Sequence, residues 1–254
     1  GHSQGLEGQN WQVLHRTGTT HLLVISGLHI GLVAALLVWF GQRWMWLLQR
    51  SDHYSLAIWL AWIGALGYAI FSGWGLPAQR AMIMLTAIML VNRLGVAWNI
   101  WQRLLLAWVV TLLLQPNSLH SPGFWYSYLA VANLALVWQG NQAKGWSVMV
   151  MKTLASQLAL LAILAPVIAA TTGGLSLIGP GLNLVLIPLF GLLVVPVLLL
   201  GSLLLLWLQP THIIMQLVAN ALDSLWQVLQ FFAAWPYAML NVSHWPTAVW
   251  LLWV

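Results

Sequence analysis

The sequence predicts an all-α fold, a polytopic transmembrane helical bundle, on three observations. Hydrophobic residues make up 61% of the 254 residues and charged residues only 4%, whereas soluble domains carry about 25% charged residues. The mean hydropathy is +0.88. The apolar residues fall into runs of roughly 15 to 25 residues, the length that a hydrocarbon core about 30 Å thick requires. Cysteine is absent, which excludes a disulfide framework and a thiolate metal site.

Short connectors such as SGWGLP and QPNSLHSPG separate these runs and mark turns. They predict about eight spans, with a ninth beginning near Thr247. The polar residues 1–17 are predicted to form a juxtamembrane or linker segment, followed by one transmembrane domain over residues 18–254. The spans lie near residues 20–40, 55–72, 78–92, 101–115, 124–139, 148–170, 182–208 and 212–234.

The cations sort by side if the first seven spans alternate in direction. Arg16 and Arg80 then fall on or near one side, and the other cations fall on the opposite side. By the positive-inside rule the side with more cations is cytoplasmic, so the start of the chain lies outside the cytoplasm. The net charge of +5 is therefore mainly a topology signal and weak evidence for nucleic acid. The cytoplasmic set is Arg43, Arg50, Arg93, Arg103, Lys144 and Lys152.

The first span, HLLVISGLHIGLV over residues 21–33, contains polar groups that are costly in a bilayer and therefore usually functional. His21, Ser26 and His29 spread over roughly 140° of one helix side and can face a shared polar lumen. Gly27 and Gly31 form a small-xxx-small pair. This pair either lets a neighbouring helix approach closely or lets the backbone open beside Ser26.

Arg80 follows Pro77 at the start of the third span, in LPAQRAMIM. Proline suits the first helical turn. The free N–H groups of that turn and the guanidinium then point the same way and form a site for phosphate or another anion. The alternative is a long side chain that snorkels to the membrane interface.

The seventh span contains Asn183, Pro188, Gly191 and Pro196 in NLVLIPLFGLLVVP. Each interior proline removes a helix hydrogen bond, so this span is predicted to be kinked or discontinuous. The freed carbonyls either line a water-filled pathway or are satisfied by neighbouring helices.

Residues 212–234 carry a stripe of polar residues at steps of four and three, which predicts a helix with one wet face. That helix either lines a pore or lies flat on the bilayer surface. The stripe consists of Gln216, Asn220, Asp223, Gln227 and Gln230.

Four stretches in this order carry a family resemblance: GTTHLLVISGLHIGLV from Gly18, LPAQRAMIM from Leu76, SPGFWYSYLAVANL from Ser121 and NLVLIPLFGLLVVPVLLLG from Asn183. Together they resemble the competence domain of the ComEC/Rec2 family of bacterial DNA-uptake channels. The third stretch departs from the family pattern. Family members usually have an acidic residue in place of Ser121, and a serine and a phenylalanine in the position of Tyr126 to Tyr128.

The resemblance implies a multi-pass domain of the bacterial inner membrane that translocates single-stranded DNA into the cytoplasm, in contact with lipid. It also implies a DNA receptor outside the membrane and an ATP-driven motor in the cytoplasm, and a homo-oligomer is left open. No cofactor is expected. We expect His21, Ser26, Gly27 and His29 at the passage, with Arg80 contacting phosphate. Asn183 is expected near the break at Pro188 and Pro196.

Two other functions stay open. A secondary transporter of small anionic solutes shares broken helices and an intramembrane arginine, but it should have two pseudo-symmetric halves. An intramembrane serine hydrolase would use Ser26 with His29, although no carboxylate lies near to orient the base. His21 and His29 lack the further ligands of a metal site. We therefore expect no enzyme activity here. Any nuclease belongs to a metallo-β-lactamase-like domain, whose HxHxDH run this sequence lacks.

Overall fold

The computed structural model describes residues 8–20, 27–47, 53–139, 145–198, 201 and 212–242. These residues confirm the all-α class. They belong to two compact units, one within residues 25–139 and the other formed by residues 2–24 and 140–254. The predicted domain boundary after residue 17 stays a prediction, and residues 8–17 form a helix that belongs to the second unit.

The described helices lie close to the predicted spans. The helices are α1 Gly8–Thr17, α2 Gly27–Leu47, α3 His53–Phe71, α4 Leu76–Arg93, α5 Ile100–Leu114, α6 Pro122–Trp138, α7 Trp146–Thr172, α8 Gly179–Leu189 and α9 His212–Ala233. Two short strands, β1 Gly174–Ser176 and β2 Met239–Asn241, a 3₁₀ helix Pro116–His120 and a π-helical segment Phe190–Val194 were not predicted.

The predicted number of spans is not confirmed. Among the described residues, one helical stretch, Trp146–Ile168, is both long and apolar enough to cross a bilayer, with 23 residues and a mean hydropathy of 1.9. Leu56–Phe71, Ile100–Leu114 and Gly179–Leu189 are apolar but shorter. Other helices, such as α4 with its two arginines, contain more polar residues. The ninth span predicted near Thr247 lies outside the described residues.

In the first unit, α2 and α3 pack side by side in opposite directions through small residues. A Cβ placed on Gly41 would lie 3.1 Å from the Cβ of Ala57, and one placed on Gly64 would lie 2.3 Å from Leu37 Cδ1. Both glycines therefore permit an approach that larger residues would block. This close packing of small residues is typical of membrane helices.

In the first unit, small residues form the buried face of α3, and large apolar residues lie both in the core, as with Ile30 and Phe124, and on the outside. Along α3, an alanine at every fourth position is buried, because such residues share one helix face. Large apolar side chains point outward instead, as with Phe71, which is 87% exposed, and Trp44, which is 67% exposed. The buried alanines of α3 are Ala57, Ala61, Ala65 and Ala69.

Local sequence signals set the ends of α3, α4 and α5. Gly73 has φ +94° and follows the end of α3, a conformation that favours glycine. Pro77 lies in the first turn of α4. Asn99 caps α5 in a capping box, in which its side chain accepts a hydrogen bond from the Gln102 N–H and the Gln102 side chain accepts one from the Asn99 N–H. These signals fix where each helix begins relative to its neighbours.

In the second unit, α1, α8 and α9 pack around a small apolar core. Its buried centre consists of Leu14, Leu186 and Leu229, one from each helix. The predicted polar stripe of α9 faces outward, because Gln216, Asn220, Asp223, Gln227 and Gln230 are all exposed. The described part of α9 is therefore amphipathic, with its apolar face on α1 and α8.

The strands β1 and β2 form an antiparallel pair in the second unit, with Leu175 opposite Leu240. Ser176 connects this pair to the end of α1, because its Oγ donates a hydrogen bond to the Arg16 carbonyl at 2.8 Å. Gly18 has φ +68°, and a Cβ there would lie 3.0 Å from Ser176 Cβ. Glycine is therefore required for both its conformation and its close approach.

The predicted break in the seventh span is instead a change of helix type. Residues 179–198 are continuously helical, and Phe190–Val194 form a π-helical segment between Pro188 and Pro196. The Val195 N–H donates to the Phe190 carbonyl, the i to i−5 bond of a π turn. The wider turn accommodates the prolines without interrupting the helix, so residues 179–198 exclude the discontinuous one of the two predicted forms, kinked or discontinuous.

We predict that Ala65→Leu lowers the thermal stability of the detergent-solubilised protein. Ala65 is fully buried, and overpacking a tight interior typically costs about 1–3 kcal/mol. The matched control is Ile63→Leu on the same helix, because Ile63 is 56% exposed. Equal unfolding temperatures for the two variants, measured by differential scanning fluorimetry, would contradict the alanine interior.

Candidate functional site

The structure describes four of the six predicted site residues. His21 and Ser26 lie outside the described residues. Gly27, His29 and Arg80 belong to the first unit, and Asn183 belongs to the second. The structure therefore describes the predicted site mainly around the starts of α2 and α4.

Gly27 brings the first described turn of α2 against the start of α4. A Cβ on Gly27 would lie 3.0 Å from Ala81 Cβ and 3.4 Å from the Pro77 carbonyl oxygen. Gly31 has no atom within 4 Å of its Cβ position. Close helix packing therefore explains Gly27 but not Gly31.

His29 lies two residues further along α2 and is buried, with only 4% of its surface exposed. Arg80, on α4, is 2% exposed. A side chain that snorkelled to a membrane surface would be exposed on the outside of the unit. The burial of Arg80 therefore disfavours the snorkelling alternative.

The guanidinium of Arg80 lies against the start of α6. A Cβ placed on Gly123 would lie 3.2 Å from Arg80 Nη2, 4.0 Å from Nη1 and 3.7 Å from Ser121 Oγ. The two side chains therefore border the space that glycine leaves free. Arg80 Nε is buried and has no hydrogen-bond partner among the described residues.

The start of α6 is itself poorly capped. Ser121 is the N-cap residue, but its side chain makes no capping hydrogen bond, and Pro122 follows in the first turn. The first N–H groups of a helix have no partner within it, and they carry partial positive charge. A cationic side chain and a helix N-terminus thus lie next to each other.

Ser121 is also where the chain departs from the family that it resembles. An acidic residue at this position would lie beside Arg80 and could cap α6. Ser121 brings no charge to the guanidinium. The resemblance implies an acidic residue here, and such a residue would supply a counter-charge that Ser121 does not.

A buried hydroxyl pair below this site joins α5 and α6. Tyr128 Oη donates to the Ala107 carbonyl at 2.9 Å and lies 2.6 Å from Thr111 Oγ1. Because the single phenolic proton goes to the carbonyl, the Thr111 hydroxyl donates to Tyr128. Thr111 was not predicted as a functional residue, although a hydroxyl within an apolar run of sequence could have indicated a buried polar contact.

A second polar link joins the starts and ends of neighbouring helices beside Arg80. Gln79 Nε2 donates to the Trp74 carbonyl at 2.9 Å, and Gln115 Nε2 donates to Gln79 Oε1. Trp74 has φ +50°, which is uncommon for a residue other than glycine. Sequence reasoning missed this link because Gln79 and Gln115 are 36 positions apart.

The cations Arg43, Arg93 and Arg103 occur at the other end of the first unit. Arg43 lies near the end of α2, Arg93 ends α4, and Arg103 lies in the first turn of α5. Since α2 and α4 start together, their ends lie together. Arg80 is therefore separated from the cations that the sequence assigns to the cytoplasmic side.

Asn183 occupies the first half of α8, where its Oδ1 is buried and has no hydrogen-bond partner among the described residues. An unpaired amide oxygen is costly to bury, so it marks a position that can accept a hydrogen bond from a further group. Asn183 and Arg80 belong to different units.

The chemistry around Arg80 suits binding of an anion. The described residues contain no group of three or more His, Cys, Asp or Glu that could hold a metal ion. Arginine supplies a planar fork of N–H donors, and a helix start supplies backbone donors. The arrangement can therefore hold a phosphate-like group by charge and hydrogen bonding.

Comparison with known proteins connects the whole chain to one family. The sequence model of the family described as Competence protein matches residues 1–254. The chain is 34% identical to competence protein ComA of Neisseria gonorrhoeae over 209 residues, which cover 80% of this chain and 29% of ComA. It is 26% identical to recombination protein 2 of Haemophilus influenzae over 212 residues, covering 76% of this chain and 26% of that protein.

A further relative is the uncharacterised protein YcaI of Escherichia coli K12, 32% identical over 199 residues, or 74% of this chain and 26% of YcaI. The chain thus spans less than a third of the length of the curated relatives it matches. No solved structure matches the chain.

We predict that Tyr128→Phe destabilises the first unit. The change removes the phenolic donor to the Ala107 carbonyl and leaves the buried Thr111 hydroxyl without its acceptor, and an unmet buried group costs about 1–3 kcal/mol. Thermal unfolding of the purified protein should therefore occur at a lower temperature. The control is Tyr237→Phe, because Tyr237 is 82% exposed. No difference between the two variants would argue against the buried hydroxyl pair.

Proposed function

The chain belongs to the competence protein family, whose role is in DNA uptake, and from this premise we propose that it forms part of the passage for single-stranded DNA. The passage would cross the bacterial inner membrane, and the strand would move into the cytoplasm. The observation that carries this proposal is the buried guanidinium of Arg80 in an apolar helical unit, with its Nε lacking a hydrogen-bond partner among the described residues.

The first unit has the composition of a lipid-embedded bundle. Small residues such as Ala65 are buried between its helices, and large apolar side chains such as Phe71 and Trp44 lie on its outside. In water this arrangement would expose apolar groups over most of the surface, whereas lipid tails accept them at no cost. The distribution of side-chain size therefore supports a membrane location.

A passage for DNA must tolerate any base sequence, so its contacts are expected to be to the phosphates. Arg80 fits this requirement because a guanidinium binds phosphate oxygens without reading the base. We propose Arg80 as a phosphate contact near the end of the unit where α2, α4 and α6 begin. With the start of the chain outside the cytoplasm, this is the end at which a strand would enter.

The remaining polar groups are assigned to the same passage. His21, Ser26 and His29 are proposed to face it, and Gly27 holds α2 close to α4 so that they can do so. Asn183 is proposed to face it with its unpaired amide oxygen. Pro188 and Pro196 flank the π-helical segment, and we propose that this segment forms part of the passage wall.

The whole system would need further partners. We propose a DNA receptor outside the membrane and an ATP-driven motor in the cytoplasm, as the family resemblance implies. The motor would set direction, and this chain would supply the route. Any strand degradation would occur in another domain or protein.

Arg80→Ala is expected to lower transformation by at least about tenfold, because it removes a charge-assisted contact to phosphate. Arg80→Lys should retain part of the activity, since lysine keeps the charge but loses the planar fork. Transformation frequency is measured in a naturally transformable host, and immunoblots establish equal membrane abundance of each variant.

The matched control is Arg103→Ala, because Arg103 lies at the opposite end of the unit and donates to the Trp98 carbonyl. Normal transformation in Arg80→Ala at normal abundance would contradict the proposed passage. If that variant instead lost uptake of a small anion such as chloride, the transporter alternative would be favoured.

We propose that this chain has no catalytic role. The serine hydrolase alternative requires Ser26 to act as a nucleophile, and such serines react with fluorophosphonate probes. We expect no labelling of Ser26 in the purified protein, as read by mass spectrometry of the peptide. Labelling that disappears in Ser26→Ala would overturn this assignment.

A further inference from the structure

The start of α6 is a helix end at which the Gly123 N–H has no acceptor among the hydrogen bonds of the described residues. α6 contains 17 residues, its N-cap side chain makes no capping bond, and Pro122 lies in its first turn. The Phe124 N–H is used, because it donates to the Ser121 carbonyl at 3.0 Å. Gly123 has no side chain to cover this end. The backbone there is available to a small anion.

Arg80 points into the same space from α4. Its Nη2 atom lies 3.2 Å from the position that a Cβ on Gly123 would occupy, and Ser121 Oγ lies 3.7 Å from it. The residue is 98% buried, since 2% of its surface is exposed. Two positive features that face each other in a buried place are costly unless an anion lies between them.

The first unit offers no carboxylate for this purpose among its described residues. The chain has three acidic residues, Glu7, Asp52 and Asp223. Glu7 and Asp52 lie outside the described residues, and Asp223 is an exposed residue of the other unit. Residues 27–47 and 53–139 therefore contain no acidic side chain.

The polar neighbours of Arg80 are committed elsewhere. The phenol of Tyr128 bonds to the Ala107 carbonyl and Thr111, and the amide of Gln79 bonds to Trp74 and Gln115. Hydroxyl and amide groups also bring no formal charge. The described residues around Arg80 therefore supply no counter-ion for it.

We propose that Arg80, Ser121 and Gly123 form a phosphate-binding site, in which the guanidinium, the serine hydroxyl and the start of α6 donate to the oxygens of one phosphate group. The inference rests on the proposed function and deepens it, because the backbone of a DNA strand provides such groups. A phospholipid headgroup and free phosphate share this chemistry, so the experiment separates the sources.

The site is tested with purified full-length protein by thermal unfolding in sodium phosphate and in sodium chloride at equal ionic strength. A ligand that binds the folded state raises the unfolding temperature. We expect phosphate to raise it for the wild type. Gly123→Ala should abolish the rise, because its Cβ would press on Arg80 Nη2.

Ser121→Asp provides a second and opposite readout. The carboxylate would cap α6 and pair with Arg80, so the unfolding temperature without phosphate should rise above that of the wild type. The further effect of phosphate should then disappear. Ser121→Asn is the neutral control of similar size, and Gly31→Ala is the control for adding a methyl group, since its Cβ position is open.

The sources are separated in nanodiscs with a fluorescent oligothymidylate as the probe. Binding of the oligomer that weakens by about tenfold in Gly123→Ala and Ser121→Asp assigns the site to the strand. If phosphate no longer raises the unfolding temperature when phosphatidylglycerol replaces phosphatidylcholine, the site is assigned to a lipid headgroup. Both results support a phosphate site.

No phosphate effect on the wild type, or an equal effect on Gly123→Ala and Ser121→Asp, would overturn the inference. The proposed function would survive that result if transformation still depended on Arg80. Conversely, normal transformation in Arg80→Ala, together with a phosphate effect on the wild type that Gly123→Ala abolishes, would reject the passage and leave the site.

Discussion

The close approach of helices through small residues is the constraint on which the first unit depends. Alanines along one face of α3 and Gly41 on α2 leave no room for larger side chains between the two helices. Gly27 repeats this at the contact between α2 and α4. Because these contacts fix the spacing, the first turn of α4 lies where its arginine can reach α6. The position of the candidate site is thus a result of helix packing.

This packing buries the charge of Arg80, so other groups must replace the hydration that its guanidinium loses. Burying an isolated cation is expensive, so a buried arginine ordinarily has a carboxylate or several carbonyl partners. The described groups beside Arg80 are a helix start and a serine. They attract an anion but carry no negative charge themselves. Function explains such a cost more readily than stability does, because a well-packed apolar side chain would serve stability better.

The sequence predicts the positions of the helices well and the contacts between distant residues less well. Hydropathy and connectors such as SGWGLP place α3 to α6 within a few residues of the structure, because long apolar periods and Gly or Pro punctuation are local signals. The strand pair and the link from Gln79 to Gln115 depend on residues far apart in the chain, so local patterns do not report them. The prolines of the seventh span predicted a disturbance, but not its form as a π turn. Arg80 could be recognised from its sequence motif, whereas its contact with Gly123 could be recognised only from the tertiary structure.

The alternating directions of the helices in the first unit have an electrostatic consequence. The described part of this unit has five α-helices, α2 to α6, and an odd number of alternating helix dipoles does not cancel. One macrodipole remains, equivalent to about +0.5 elementary charge at the end where α2, α4 and α6 begin and about −0.5 at the other. Arg43 and Arg93 lie at the negative end, where they offset it, while Arg80 adds to the positive end. The unit is thus electrically polarised along its length, and a negatively charged chain approaching the Arg80 end meets an attractive potential before it touches any side chain.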